Sequence, residues 1–375
     1  MAGLYIHIPF CVKRCIYCDF YSNTRIDYKE AYINALLREM EIRRDDWQDV
    51  QFNTVYFGGG TPSLIQPDDL QKIFDGIYRC FSVSLQPEIT LEAYPDDLSG
   101  SYIAALTTLS INRISIGIQS FDDRELRLLN RRHTAQEAIE TIARCKAAGL
   151  TNISIDLIFG LPDQSPENWL RTINRAIDLD ISHLSAYNLA YEEGTHIYKM
   201  LKNKEINQID DDNCARMYTI LTEKLKAVGF VHYEISNFAR RSALYPDGRI
   251  SLHNSSYWNG TKYLGLGPSA HSWNGTSRSW NVSDLIAYIK GALYETEKSD
   301  ERSRYNDFVI TRMRTMWGVS LDELQREFGK ERKGYFLDKS ARFISLKKLK
   351  KQGGNVKVSP EYFFISDAII RELIV

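Results

Sequence analysis

The sequence has no excess charge of either sign, no long apolar run and few cysteines. Its 47 Lys and Arg residues balance 48 Asp and Glu, giving a formal net charge of −1 at pH 7. A chain this close to neutral carries no overall field toward nucleic acid or an acidic membrane. No run of about eighteen apolar residues occurs, so no helical membrane span is expected. No basic, apolar and small-residue signal pattern opens the sequence. Six cysteines in 375 residues are too few for a disulfide-dense scaffold. Cys80, Cys145 and Cys214 stand singly in helix-like stretches and read as buried apolar thiols. The expected setting is the reducing cytoplasm.

What the sequence does contain is an alternation of strand-like and helix-like segments. "LYIHI", "NTVYF", "EITLEA", "RISIGIQ", "NISIDLIFG" and "HLSAYNLA" read as strands, each followed by an amphipathic helix or a further unit. Pro67 suits a first helical position, and Gly149 suits the end of the helix over "TAQEAIETIARCKAAG". Six parallel β/α units are too few for a closed eightfold barrel, so the expected fold class is α/β, a partial (β/α)6 barrel. This domain is expected over residues 1–230. Residues 231–303 read as a connecting region, with a strand at "HYEISNFA" and loops over about 240–282. Residues 304–375 read as a smaller α+β domain, winged-helix-like, with a hairpin in "NVKVSPEYFFIS" and a closing helix in "DAIIRELIV". Its basic runs, "GKERKGY" and "SLKKLKKQGG", are read as a solvated face, and no nucleic-acid partner is expected.

Chemistry concentrates near the amino terminus, in "YIHIPFCVKRCIYCDFYSN". Cys11, Cys15 and Cys18 are one too few for an all-thiolate zinc site. A [4Fe–4S] cluster held by three thiolates keeps one iron open for a small molecule, whereas an electron-transfer cluster takes four. A zinc ion with His7 as fourth ligand is the competing reading, although alternation turns His7 the same way as Tyr5, into the strand face. Polar residues also end or interrupt later strands, where β/α folds place ligands: Glu92, Gln119 and Asp156. Each alone is a capped loop as readily as a ligand contact. Together they point to a shared cavity suited to ribose hydroxyls and an ammonium group. Either Arg131 or its neighbour Arg132 offers a planar fork for a carboxylate.

The cysteine spacing, in a loop after the first strand, resembles the signature of the radical SAM superfamily. The resemblance implies a [4Fe–4S] cluster on Cys11, Cys15 and Cys18. It further implies S-adenosylmethionine chelated to the open iron and available for cleavage to a 5′-deoxyadenosyl radical. It places Tyr17 beside the adenine, and Gly59, Gly60 and Thr61 of "YFGGGTP" at the methionine amino group. Tyr5, Glu92, Gln119, Arg131, Asp156 and Ala190 complete the implied contacts.

The likeness narrows at "LYIHIPFCVKRCIYCDF", "FGGGTPS", "ISIGIQSF", "LNRRHT" and "IDLIFGLP". These resemble the family that holds the oxygen-independent coproporphyrinogen III oxidases and the related haem chaperones. The oxidases have a fourth cysteine where this sequence has Phe20, and a segment ahead of the cluster where it has only Met1 to Leu4. "HNSSYW" (His253 to Trp258) resembles the haem chaperones' His-Asn-x-x-Tyr-Trp motif, with His253 the candidate haem ligand. Tyr257 and Trp258 are less specific, and His271 is either a second contact or a buried histidine. The expected function is therefore a haem chaperone that passes haem to a haem-requiring apoprotein. A membrane-bound respiratory protein as recipient and a cluster-promoted homodimer follow from the resemblance. The alternative is radical decarboxylation of coproporphyrinogen III. That activity is expected to be absent, and no catalytic residue is assigned.

Overall fold

A computed structural model describes residues 2–292 and 294–375. Six parallel strands form the centre: β1 (Ala2–Ile8), β2 (Gln51–Gly59), β3 (Ser82–Ala93), β4 (Arg113–Gln119), β5 (Ile153–Phe159) and β6 (His183–Asn188). They pair in sequence order, each with the next, as right-handed β/α crossovers require. The intervening helices include Lys29–Arg43, Pro67–Cys80, Gly100–Thr108, Ala135–Ala147 and Pro166–Asp178. Pro67 opens its helix, and the third of these crossover helices to carry a capping side chain does so through Ser165 just ahead of Pro166. Thr134 and Glu137 close a reciprocal capping box, and Gly149, at φ +87°, ends that helix's turn.

Strand alternation divides the core. Ile114, Ile116 and Ile118 on β4, with Ile153, Ile155 and Leu157 on β5, turn outward and are buried beneath Ile103, Ile142, Trp169 and Ile173 of the helices. The opposite faces carry Tyr5, His7, Tyr56, Glu92, Ser115 and Asp156, so the concave side is polar where the convex side is hydrocarbon. The sheet never closes, as a partial barrel requires.

A strand was expected at "HYEISNFA", and of the loops expected over about 240–282 some join this sheet as strands. β7 (Phe230–Glu234) and β8 (Asn237–Arg240) form a hairpin against β6. β9 (Lys262–Leu266) runs parallel to β1, and β10 (His271–Trp273), β11 (Ser277–Trp280) and β12 (Glu295–Lys298) continue beyond it, making twelve strands in all. These strands are three to five residues long and separated by Gly, Asn and Ser, too short to display a two-residue period. A helix over His196–Lys202 was also not anticipated.

The carboxyl-terminal part has helices over Glu301–Met313, over Leu321–Ser345 with a break at Gly329 (φ +81°), and over Ser366–Arg371. A three-stranded sheet of β13 (Val319–Ser320), β14 (Leu349–Gln352) and β15 (Asn355–Val358) accompanies them. The hairpin is displaced from its expected position. The basic "LKKQ" supplies its first strand, Gly353 and Gly354 turn it at positive φ, and "PEYFFI" is a 3-10 helix.

Candidate functional site

The three cysteines follow β1 in a loop fixed at several points. The Cys11 N–H donates to Asn23 O at 3.0 Å, Cys18 N–H to Cys15 O at 3.3 Å, and Ile16 N–H to Leu129 O at 3.4 Å. Ile197 N–H closes on Ile16 O at 2.9 Å, so the unanticipated helix holds the loop from outside. Two sulfurs already receive donors. Thr61 Oγ1 lies 3.5 Å from Cys11 Sγ, and Arg131 Nη1 lies 3.3 Å from Cys15 Sγ. Burial raises the Cys11 thiol's pKa, and burial with the neighbouring Cys15 and Cys11 raises that of Cys18 to about 11.

Among the described residues no group of three or more His, Cys, Asp or Glu is set around a single ion. Thiolates on separate irons of a cluster need no such convergence on one point. The zinc reading also needs His7, yet both its ring nitrogens are engaged. Tyr5 OH lies 3.0 Å from Nδ1, and Nε2 lies 2.9 Å from Tyr21 O, with burial lowering the ring's pKa to about 4. A three-thiolate set with hydrogen-bond donors at two sulfurs suits an iron–sulfur cluster better than that ion.

The glycine-rich segment packs tightly against the first strand and the start of the cysteine loop. A Cβ at Gly60 would meet Phe10 O at 2.6 Å and Ile8 O at 3.0 Å, and one at Gly59, whose φ is +106°, would strike the His7 ring at 2.6 Å. Gly60 is glycine because the backbone from the end of β1 into the cysteine loop passes against it, and Gly59 because of its positive φ and the His7 ring beside it.

Behind them lies a buried polar layer. Glu92 accepts from Tyr56 OH at 2.7 Å and from Gly59 N–H at 3.2 Å. Burial, aided by Asp156, pushes its pKa up to about 7. Asp156 accepts from Ser115 Oγ at 3.4 Å and is also raised, chiefly by burial. Arg113 stands within this layer at 1% exposure, with Nε and Nη1 unpartnered among the described residues. The sequence pattern gave Arg113 no weight, because at a strand's first residue it reads as a solvated flank. Gln119 is buried at φ +72°, its amide over Gly117. Tyr17 packs with Ile16 against Leu129, Ile158 and Leu161 beside the cysteine loop. Ala190 lies exposed, two residues beyond the end of β6.

Both arginines lie over the Tyr94 ring, Arg132 at 4.2 Å from its centroid, but their other partners differ. Arg131 turns inward, bonding Gly117 O and lying 3.7 Å from the Tyr94 ring centroid. Arg132 instead pairs with Asp97 at 3.0 Å and Asp96 at 3.3 Å.

The "HNSSYW" motif forms a helix, Leu252–Trp258, beneath the polar layer. His253 is buried within the lumen, where Gly3 leaves room for its ring at 3.1 Å. Its Nδ1 is 2.8 Å from Thr54 Oγ1 and its Nε2 2.8 Å from Tyr257 OH. Burial and Arg113 lower its pKa to about 3, so the ring is neutral. The expected haem ligand thus has neither nitrogen free in this arrangement. Trp258 faces the other way, into a 710 Å³ cavity at the amino ends of the strands that also meets Trp317 and Arg312. His271 is exposed and lines a 370 Å³ cleft beside the cysteine loop, with Tyr5, Phe20, Tyr257 and Tyr263.

Residues 5–176 match the radical SAM superfamily. Heme chaperone HemW of Bacillus subtilis (strain 168) is 34% identical over 346 residues, covering 90% of this chain and 89% of its own length. Heme chaperone HemW of Mycobacterium tuberculosis (strain CDC 1551 / Oshkosh) is 32% identical over 332 residues, covering 86% and 84%. Among solved structures, coproporphyrinogen III oxidase (HemN) from Escherichia coli superposes with a TM-score of 0.85 at 22% identity, covering 100% of this chain and 90% of that one. At that identity the last comparison speaks for the fold alone.

Proposed function

The chain belongs to the HemW haem chaperone family of the radical SAM superfamily, and from this premise we propose that it binds haem and passes it to a haem-requiring apoprotein. Membership in the superfamily implies a [4Fe–4S] cluster and S-adenosylmethionine. The residues proposed to hold the cluster are Cys11, Cys15 and Cys18, with Thr61 and Arg131 donating to two of the sulfurs. When bound, the cluster supplies an open iron for the S-adenosylmethionine amino and carboxylate groups and an electron to its sulfonium.

The chain's own residues supply orientation and exclusion of water. Glu92, aimed by Tyr56 and Gly59, is proposed to accept from the cofactor's polar hydrogens. Asp156 and Gln119 offer further partners from the next strands, and Tyr5, Gly60 and Ala190 complete the surround. Arg131 is the proposed carboxylate partner, since Arg132 is committed to Asp96 and Asp97. Tyr17, packed under the cysteine loop, is proposed to cover the adenine. A polar, largely enclosed lumen makes each of these hydrogen bonds stronger than the same bond in water.

The observation that carries the reading is the likeness to haem chaperones over 90% of the chain, joined to Phe20 where the related oxidases have cysteine. The recipient is proposed to be a respiratory haem protein at the membrane, with a cluster-linked homodimer as the working form. No described helix is itself long and apolar enough to cross a membrane.

The test is anaerobic reconstitution of the full chain, followed by haem titration, transfer to an apo-globin as acceptor, and a parallel assay on coproporphyrinogen III. Haem uptake and transfer without decarboxylation is the expected result. Efficient formation of protoporphyrinogen IX, or no haem uptake at all, overturns the proposal.

A further inference from the structure

We propose that haem sits in the cleft between the cysteine loop and β9–β10, with His271 as its iron ligand and Phe20, Tyr257 and Tyr263 as its walls. This rests on the haem-chaperone reading above and assigns that reading a place.

The chain has seven histidines. A ligand must offer a ring nitrogen that is both free and reachable. His7 spends its nitrogens on Tyr5 and Tyr21, His183 on Ser154 and Tyr233, and His253 on Thr54 and Tyr257. His232 is turned toward Tyr218 and Ile235 O. His133 is 3% exposed, edge-on to Tyr94. His196 is exposed on its helix but lines none of the three described cavities. His271 is exposed and lines one of them.

Its setting favours iron. Partial burial, helped by Arg278, lowers the His271 pKa, so the ring stays neutral and keeps a lone pair for a metal. No hydrogen bond contributes to that shift. The ring is held by the sheet, since His271 pairs with Trp280 across β10 and β11 and their ring centroids lie 6.2 Å apart. An imidazole fixed on a strand, rather than on a loop, is a preorganised ligand.

The walls suit a flat apolar macrocycle. Phe20 is 65% exposed in the loop that carries the cysteines, an aromatic ring with no described cover. Tyr257 and Tyr263 meet edge to face at 4.8 Å on the far side. Tyr257 is in turn held by His253, which gives the buried histidine a role without making it a ligand. The cleft's 370 Å³ is within the range of small-ligand sites and at its small end, so a macrocycle would stand partly in solvent. His7 and Asp19 also line the cleft, but both His7 ring nitrogens are bonded, so His271 is its one imidazole free for iron, and an open cleft of this kind suits a carrier that must release its cargo.

The larger 710 Å³ cavity at Trp258 is the rival position. None of its lining residues is His, Cys or Met, leaving Tyr245 as the sole side chain there of a type that ligates haem iron.

The experiment titrates the full chain, His271→Ala, His271→Met, His253→Gln and Trp258→Ala with ferric haem and with iron-free protoporphyrin IX, reading the Soret band and tryptophan quenching. The expected result for His271→Ala is a shifted Soret band and at least about tenfold weaker haem binding, with protoporphyrin bound as before. His271→Met should give a distinct, thioether-type spectrum, and His253→Gln should retain the wild-type one. A wild-type spectrum in His271→Ala overturns the site while leaving the haem reading intact. So does loss of binding confined to Trp258→Ala. Absence of haem binding by the wild-type chain overturns both.

Discussion

The His253 imidazole lies stacked on the Tyr56 phenol, ring centroids 4.8 Å apart and planes 23° apart. Tyr56 in turn donates its hydroxyl to Glu92 at 2.7 Å, and Tyr5 stacks on Tyr56 from the first strand at 6.1 Å. The histidine of the motif therefore stands two side chains from the carboxylate proposed to hold S-adenosylmethionine. It reaches the haem cleft in the other direction through Tyr257.

Replacing Tyr56 by Phe removes one of the two donors that favour the Glu92 carboxylate. That carboxyl, already raised to about 7, should rise further in the variant. If ionised Glu92 receives the cofactor's polar hydrogens, S-adenosylmethionine affinity falls as pH drops through about 7 in the wild type. The midpoint should lie higher in Tyr56→Phe, costing about tenfold in affinity at neutral pH. Calorimetry on cluster-loaded protein over roughly pH 6 to 9 measures both. Coincident midpoints refute the role given to Glu92. The sign for stability is opposite: a carboxyl raised above its ordinary 4.5 contributes fully below that value and loses its contribution as pH climbs through about 7.

His253 titrates in the other sense. Its folded pKa of about 3 is below the ordinary 6.5, so on unfolding between those values it takes up a proton. It thus contributes stability that is complete above 6.5 and lost as pH falls toward 3. In His253→Gln that proton uptake vanishes, and the slope of unfolding free energy against pH near pH 5 should flatten by about 1.4 kcal/mol per unit. The variant should also lose about 2–4 kcal/mol at neutral pH, because Thr54 and Tyr257 are left with a poorer partner. Urea unfolding at several pH values tests both statements, and an unchanged slope contradicts the buried, neutral assignment.

Much of this was legible in the sequence because the central strands are long enough to show their period. β4 matches "RISIGIQ" residue for residue, and the cysteine spacing needs no fold to be recognised. Short elements were not legible. β10 has three residues, and it is the pairing with β11 and β9 that turns "HSW" from a loop into a fixed position. The direction of His253 was hidden for another reason: a seven-residue helix shows under two turns, and its inward face is set by the room left at Gly3 in a strand far away in sequence. Arg113 was not legible because the residues beside it, Tyr233 and His253, come from far along the sequence.

Gly60→Ala tests the contact between the glycine segment and the cysteine loop. The new methyl would press on two backbone oxygens, Phe10 O at 2.6 Å and Ile8 O at 3.0 Å, neither of which can rotate away. Relief requires the loop at Cys11 to move, at a cost of about 1–3 kcal/mol. The expected outcome is a folded chain with reduced iron and sulfide after reconstitution. Full cluster content with unchanged stability would mean that the loop tolerates displacement and that the glycine is not required for the reason given.

Arg131 and Arg132 are neighbours whose roles the structure divides, and paired substitutions can check the division. Arg131 makes three kinds of contact at once, to Cys15 Sγ at 3.3 Å, to the Gly117 carbonyl and to the Tyr94 face at 3.7 Å. A lysine ammonium is a single compact charge and cannot reproduce that planar arrangement. Arg131→Lys should therefore weaken S-adenosylmethionine binding by roughly tenfold and alter the cluster's paramagnetic signal, since a donor to one sulfur is withdrawn. Arg132 pairs with Asp97 and Asp96 in a partly exposed setting, where a lysine keeps the charge. Arg132→Lys should cost less than about 1 kcal/mol and leave the signal as it was. Measured side by side by denaturation, calorimetry and electron paramagnetic resonance, equal effects of the two substitutions would show that the inward arginine holds no special position. A larger effect at Arg132 would transfer the carboxylate partner to the other residue and require a different path for the cofactor across β4.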